Sequence, residues 1–288
     1  FHQTMPRTSY IYAVPYEWYE KYGVRRYGFH GTSHLYVARR AAVMLKKDPF
    51  EVNLITCHIG NGVSLAAIRN GCSYDTSLGL STMEGLVMGT RCGDVDPGLM
   101  PFICGKEKLT TREVESIYLK KSGVLGISGK YIDRRDIENA MAQGDERARL
   151  AFEIEAYKLR KYIGAYYAAL GHLDAIVFTG GAGEMGPHLR QQAVAGLDEM
   201  GIVLDQERNT TAKNRNHEFV ISADGSRVKM FVIPTDEELV FTEDVVAIIE
   251  GRYDVHTNFK YSFQSPDYRN QMRDEAYQRS LDEKKAKQ

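Results

Sequence analysis

His58-Ile59-Gly60-Asn61-Gly62-Val63-Ser64 decides the fold. A β-branched apolar run, Val52 to His58, enters this glycine turn, and a second run, Val63 to Arg69, leaves it. Asn70-Gly71 then signals a tight hairpin, and Cys72 to Thr76 returns as a third strand. Strand, short polar turn, strand and hairpin make an antiparallel meander, not a strand–helix–strand opening.

Downstream, the chain is glycine-rich and irregular from Gly79 to Gly98. Helices are predicted at Thr111 to Lys121, Asp133 to Gln143 and Asp145 to Leu170, the last opening with acids that suit a helix N-terminus. Ala175 to Thr179 reads as a buried strand broken by Gly180-Gly181-Ala182-Gly183, with a helix from Pro187 to Met200. A strand at Lys229 to Ile233 and a helix at Glu237 to Ile249 follow. Upstream, a helix at Tyr16 to Tyr22 precedes the turn Tyr27 to His34, and Thr32 or Ser33 is placed to cap a helix running from Ser33 to Leu45. The pattern predicts an α/β or mixed α+β protein whose sheet starts antiparallel and then takes helical crossovers. Arg252 to Gln288 is polar and charged, and reads as a peripheral tail, partly helical or disordered.

The formal net charge of −1 argues against a general nucleic-acid or membrane-surface binder. Cys57, Cys72, Cys92 and Cys104 form no C-x-x-C pair, and no histidine cluster has zinc-ligand spacing; reduced thiols in a cytoplasmic protein are expected. There is no run of about 18 apolar residues to span a membrane. Phe1 to Pro6 lack the features of a signal peptide, and a chain opening on Phe1 suggests a processed or truncated product.

Several stretches can carry chemistry. In His58 to Ser64, two glycines let backbone N–H groups approach an anion, and Asn61 and Ser64 add donors; an ordinary Asn-Gly hairpin explains the stretch equally well. Phe178-Thr179-Gly180-Gly181-Ala182-Gly183-Glu184 runs from a strand through glycines toward a helix, which puts backbone donors near a ligand, although it matches no dinucleotide or P-loop pattern. Arg91 lies among small residues in Met88 to Gly98, able to clamp phosphate or carboxylate or to pair with Asp94 or Asp96. His30 sits between Phe29 and Gly31 as a plausible ligand contact, whereas His34 is better read as structural. Glu237 and Glu238 open a helix, where favouring the helix dipole is by itself the better explanation than binding Mg2+. No G-x-S-x-G elbow supports a serine hydrolase. Residue chemistry alone reaches a phosphate-binding α/β protein, a phosphotransferase.

Taken together the motifs resemble the acetate kinase (acetokinase) family. Tyr27 to His34 looks like that family's Y-G-F-H-G-T-S-H, and His58 to Ser64 like its H-[LI]-G-N-G-x-S. Gly89 to Pro97 resembles G-T-R-x-G-D-x-D-P, Phe178 to Glu184 its adenosine-side glycine turn, and Thr235 to Leu239 its T-[ND]-E-E-L. The motifs occur in family order, and the resemblance covers Phe1 to about Ile249.

The resemblance implies an actin-like ATPase lobe, the fold of sugar kinases, heat-shock ATPases and actin, with nucleotide held between two lobes. It implies reversible phosphoryl transfer between ATP and acetate, giving acetyl phosphate and ADP with Mg2+ or Mn2+. His30 and Arg91 would stabilise the transferring phosphoryl group, and His58, Ile59, Gly60, Asn61 and Gly62 would cradle phosphates. Asp133, Arg134 and Arg135, with Gly181, Ala182, Gly183, Glu184 and Met185, would hold the adenosine. Phe29 would line the acyl pocket and Glu237 would place the metal. A carboxylate acceptor is already ionised at pH 7, so no general base is required.

This implies residues 1–235 as a nucleotide-binding and dimerisation lobe, 236–251 as a helix packing on an N-terminal lobe absent here, and 252–288 as the tail. A homodimer is expected, without nucleic-acid or membrane partners. Met185 stands where the family often has Asn, a departure that bears on the nucleotide contacts, and Thr82 stands where many members have Pro by the acyl pocket, which leaves propionate or butyrate open as acceptors. A non-catalytic nucleotide-binding and dimerisation module is the competing reading for the chain by itself.

Overall fold

The computed structural model describes residues 1–286; Lys287 and Gln288, the end of the charged tail, lie outside the described residues. Strands β1 (Leu54–Ile59), β2 (Val63–Arg69), β3 (Cys72–Thr76), β4 (Ala175–Thr179), β5 (Phe219–Val220) and β6 (Lys229–Val232) form one sheet in the order β3-β2-β1-β4-β6-β5. The first three make the antiparallel meander, with Ile59 opposite Val63 across the glycine turn. Asn70 and Gly71 turn the next hairpin at φ 48° and 70°, the left-handed pair that a two-residue loop requires. β4 runs parallel to β1, and β6 parallel to β4.

Both faces of the sheet are covered, so the central strands are buried along nearly their whole length rather than alternating. On one face Cys57, Leu65, Ile176, Phe178 and Met230 pack with Phe152, Leu159 and Ile163 of the helix Glu146–Leu170. On the other, Leu54, Ala66, Val177 and Phe231 pack with Leu35, Val37 and Ala41 of the helix Gly31–Leu45.

The structure corrects several expectations. The helix Gly31–Leu45 begins two residues earlier than read, capped by His30 in the left-handed region, and neither Thr32 nor Ser33 caps it. The glycines after β4 do not interrupt the chain; they open a short helix, Gly180–Met185. The next helix stops at Val194 because Gly196 at φ 75° leaves helical space. Helices Leu99–Glu107 and Gly123–Ser128 were not expected. The polar stretch after Gly251 is not wholly peripheral: Tyr261 and Phe263 are buried in the core beneath Gly31–Leu45, with Phe263 4.7 Å from Tyr36. Helix Gln271–Ala286 follows.

Candidate active site

The turn after β1 is the centre of the site. His58 and Ile59 close β1, Gly60 N–H closes the turn on the Gly62 carbonyl at 3.0 Å, and Val63 and Ser64 open β2. His30 reaches this turn from the start of Gly31–Leu45. Its φ of 57° is uncommon for a residue with a side chain, and strained residues of this kind gather at functional sites. The conformation lets Nδ1 meet Ser64 Oγ at 2.7 Å and stacks the ring on His58, 4.1 Å between centroids. His58 Nδ1 in turn meets Ser33 Oγ at 2.8 Å, so the hydroxyl expected to cap the helix orients an imidazole instead.

Arg91 arrives from the irregular loop. That loop is pinned to the turn where Gly89 N–H donates to the Asn61 carbonyl at 3.0 Å. Arg91 Nη1 donates to the Thr82 carbonyl at 3.2 Å. A Cβ built on Gly62 would lie 3.2 Å from Arg91 Nη1 and 3.5 Å from His30 Nε2, so a cation, an imidazole nitrogen and a glycine backbone share one small space. Burial, then the nearby Arg91, lowers the His30 pKa to about 4. Burial, then His30, lowers that of His58 to about 3. Both rings are therefore neutral at pH 7.

Beside this point lies a cavity of 580 Å³ lined by Gly60, Asn61, Asp133, Arg134, Arg135, Gly181, Ala182, Met185 and Arg215. Two distant motifs thus face each other across one space. Arg134 is anchored rather than free: it pairs with Glu155, which is 2 % exposed, and donates to the Gly60 carbonyl at 2.7 Å. It therefore braces the Gly60–Gly62 turn. Asp133 caps its helix by accepting from Arg135 N–H.

A second cleft of 340 Å³ holds His58, Gly180, Gly181, Glu184, Thr235, Glu237, Arg215 and Arg273. Glu237, the first residue of helix Glu237–Ile249, lies 3.9 Å from His58 Nδ1. Burial raises its pKa, and a hydrogen bond with Ser33 opposes the rise.

Two of the expected ligand residues face elsewhere. The Ile59 side chain is in the core. Gly183 packs against β1 at the Cys57 carbonyl. Glu184 lines the second cleft, buried, and accepts from Gly180 N–H at 3.0 Å, with its pKa raised by burial. Phe29 is half-buried against the core. Arg215, which faces both clefts, was missed because Lys213-Asn214-Arg215-Asn216 belongs to no motif. Ser33 was read only as a cap.

The chain matches the acetokinase family over residues 1–243. It is 60% identical over 268 residues to the acetate kinase of Geobacter metallireducens, an alignment covering 93% of this chain and 64% of that protein. The solved acetate kinase of Porphyromonas gingivalis is 48% identical, with a TM-score of 0.84 over 86% of this chain and 62% of that one. A propionate kinase from Francisella tularensis is 39% identical, with a TM-score of 0.77 over 83% and 60%. The chain therefore spans about 64% of the length of the curated relatives it matches. Its mixed sheet with flanking helices is the lobe of an actin-like ATPase. By sequence motif, fold and likeness to solved relatives, the chain belongs to the acetokinase family.

Proposed function

We propose that the protein carrying this chain is an acetate kinase, transferring a phosphoryl group reversibly between ATP and acetate to give ADP and acetyl phosphate. The observation that supports this best is the convergence of His30 Nε2 and Arg91 Nη1 on Gly62 beside the 580 Å³ cavity. Phosphoryl transfer requires alignment and stabilisation of charge on the equatorial oxygens more than covalent help. Arg91 offers a fixed cation and His30 a neutral ring at one point, and the Gly60–Gly62 backbone can approach phosphate closely. The larger cavity suits the adenosine, with Gly181, Ala182 and Met185 on one wall and Asp133 to Arg135 on the other. Phe29 is assigned to the acyl side on the family resemblance of Tyr27 to His34.

Among the described residues no group of three or more His, Cys, Asp or Glu side chains is placed to hold a metal ion. Mg2+ at nucleotide sites takes mostly phosphate oxygens and water with one or two carboxylates, and Glu237 fits that sparse role. The ion would neutralise phosphate charge when bound.

The same reading assigns the exposed apolar residues Phe241, Val245, Ile248 and Ile249 of helix Glu237–Ile249 to contact with a further lobe. It takes the protein as a cytoplasmic homodimer; among the described residues no helix is long and apolar enough to cross a membrane. Likeness to the Francisella propionate kinase favours testing propionate as a second acceptor. The decisive assay supplies full-length protein with ATP, Mg2+ and acetate, then propionate, and traps the acyl phosphate with hydroxylamine. Acetate-dependent acyl phosphate is expected, with a higher kcat/KM for acetate; ATP hydrolysis with no acyl phosphate from either acid would refute the reading.

A further inference from the structure

Behind His30 lies a chain of buried polar groups that the proposed reaction does not name. Thr56 Oγ1 meets His34 Nδ1 at 2.7 Å. His34 Nε2 meets Ser64 Oγ at 2.8 Å, and Ser64 Oγ meets His30 Nδ1 at 2.7 Å. Thr56, His34 and Ser64 are fully buried. We propose that Thr56, His34 and Ser64 are positioning residues that fix the His30 proton on Nε2, making that ring a neutral hydrogen-bond donor into the space it shares with Arg91 and Gly62.

The direction of the chain follows from counting donors. Among the described residues, His34 Nδ1 is the one hydrogen-bond partner of Thr56 Oγ1. A buried hydroxyl hydrogen left without an acceptor is costly, whereas an unused oxygen lone pair costs less. Thr56 therefore donates, and His34 Nδ1 accepts. His34 is neutral, because burial holds its pKa well below the ordinary value. A neutral imidazole that accepts at Nδ1 carries its hydrogen on Nε2, so His34 donates to Ser64 Oγ. The Ser64 hydrogen is then directed to its other partner, His30 Nδ1. His30, also neutral, carries its hydrogen on Nε2.

That nitrogen faces the point where Arg91 Nη1 converges. Without the relay, the Arg91 cation would favour the opposite tautomer, with the Nε2 lone pair turned toward it. The buried hydroxyls overrule this preference before any anion arrives. An oxyanion there meets an N–H as well as a guanidinium, without a proton taken from solvent. The purpose given to the relay rests on the phosphoryl-transfer reading; its hydrogen-bond order does not.

The test is the tautomer itself, read from long-range 1H–15N correlation spectra of the protein labelled with 15N-histidine and free of substrate. In the native protein, His30 and His34 should each show a protonated Nε2 and an unprotonated Nδ1. Thr56→Val keeps the side-chain shape and removes the hydroxyl; His34 and His30 should both shift toward mixed tautomers, and Thr56→Ser should restore them. A native His30 protonated on Nδ1 overturns the proposal. So does an unchanged His30 in folded Thr56→Val. Should Thr56→Val not fold, Ser64→Ala interrogates the last bond directly, and an unchanged His30 there overturns the proposal instead. An Nε2-protonated His30 in a protein that makes no acyl phosphate would leave the relay standing and remove only the reaction.

Discussion

The imidazoles of His30 and His58 lie face to face, 16° from parallel and 4.1 Å apart. Neutral rings pack well this way, but two imidazolium rings would repel. With folded-state values of about 4 and about 3 against 6.5 for a free histidine, both rings resist protonation in the fold. The unfolded chain takes up those protons first, so stability is complete above pH 6.5 and is lost progressively as pH falls toward 4 and then 3. Buried His34, with its pKa also lowered, acts in the same direction. Urea midpoints measured between pH 7 and pH 4 should fall for the native protein and fall less for His58→Gln. Parallel curves for the two proteins would show that the stacked pair carries none of the dependence.

Arg91→Ala should separate chemistry from stability. The guanidinium donates to the Thr82 carbonyl and touches Met88 Sδ at 3.6 Å, so little of the fold hangs on it. Loss of one transition-state donor costs about 10²- to 10³-fold in kcat. Turnover should drop on that order while the thermal midpoint moves by only a degree or two. Near-native turnover would remove Arg91 from the reacting centre.

Gly62→Ala tests the converging space from the other side. The backbone at Gly62 is not in the left-handed region, and the new methyl would sit 3.2 Å from Arg91 Nη1 and 3.5 Å from His30 Nε2. That contact is tight without striking backbone, so the fold should persist while the methyl takes room needed by a phosphoryl group. Isothermal titration should show ADP bound about as before and a transition-state-like fluoride complex bound more weakly by at least tenfold, on the order of one hydrogen bond to a charged group. Equal losses for both ligands would place the phosphoryl group elsewhere.

Much of the sheet was legible because Val63–Arg69 and Ala175–Thr179 are largely apolar runs that meet glycine turns, and Asn70-Gly71 returns the chain into Cys72–Thr76. Val63–Arg69, Cys72–Thr76 and Ala175–Thr179 lie where the sequence predicts them. What escaped was conformation that residue type disfavours. His30 in left-handed space moved a helix start. Leu99–Glu107 carries Pro101 and Gly105, lacks a side-chain cap and buries no residue, so it has no periodic signature. Tyr261 and Phe263 were hidden in a polar stretch, although Phe259, Tyr261 and Phe263 alternate. At the site, motifs named the segments but not the direction of each side chain: Ile59 shares a motif with cleft-lining Gly60 and Asn61 yet its side chain is buried in the core. The Thr56–His34–Ser64 chain joins two motifs to a strand residue outside both, which spacing along the sequence cannot display.

Arg134→Ala should be costly to the fold as well as to the site. Glu155 is buried, and Arg134 is its ion-pair partner through both Nε and Nη2. Removing one member of a buried pair leaves an uncompensated charge and costs about 3–5 kcal/mol. The Gly60 carbonyl also loses its donor, so the Gly60–Gly62 turn should loosen. Guanidinium unfolding should register the stability loss. Arg134→Ala/Glu155→Leu should recover much of the stability without recovering nucleotide affinity, because the brace on Gly60 stays absent. Full recovery of both would reduce Arg134 to a core ion pair.

Arg273 gives the helix Gln271–Ala286 a part in the site although that helix lies past the family match at residue 243. Its guanidinium donates to the carbonyls of Pro234 at 3.0 Å and Thr235 at 2.7 Å, and pairs with Asp236 at 3.3 Å. Asp236 caps the next helix by accepting from Leu239 N–H at 3.1 Å, and Glu237 is the first residue of that helix. One side chain thus holds the strand-to-helix connection that sets where the Glu237 carboxylate stands. Hydrogen bonds to a charged group contribute about 1.5–3 kcal/mol, and partial exposure of Arg273 puts its effect at the lower end. In Arg273→Ala, amide exchange should quicken from Thr235 to Val240 and stay unchanged in β1 and β4. Affinity for Mg2+ with ADP should weaken more than affinity for ADP alone, since only the former depends on Glu237. Exchange that quickens evenly through the sheet would mean that Arg273 supports the fold as a whole and has no particular hold on Glu237.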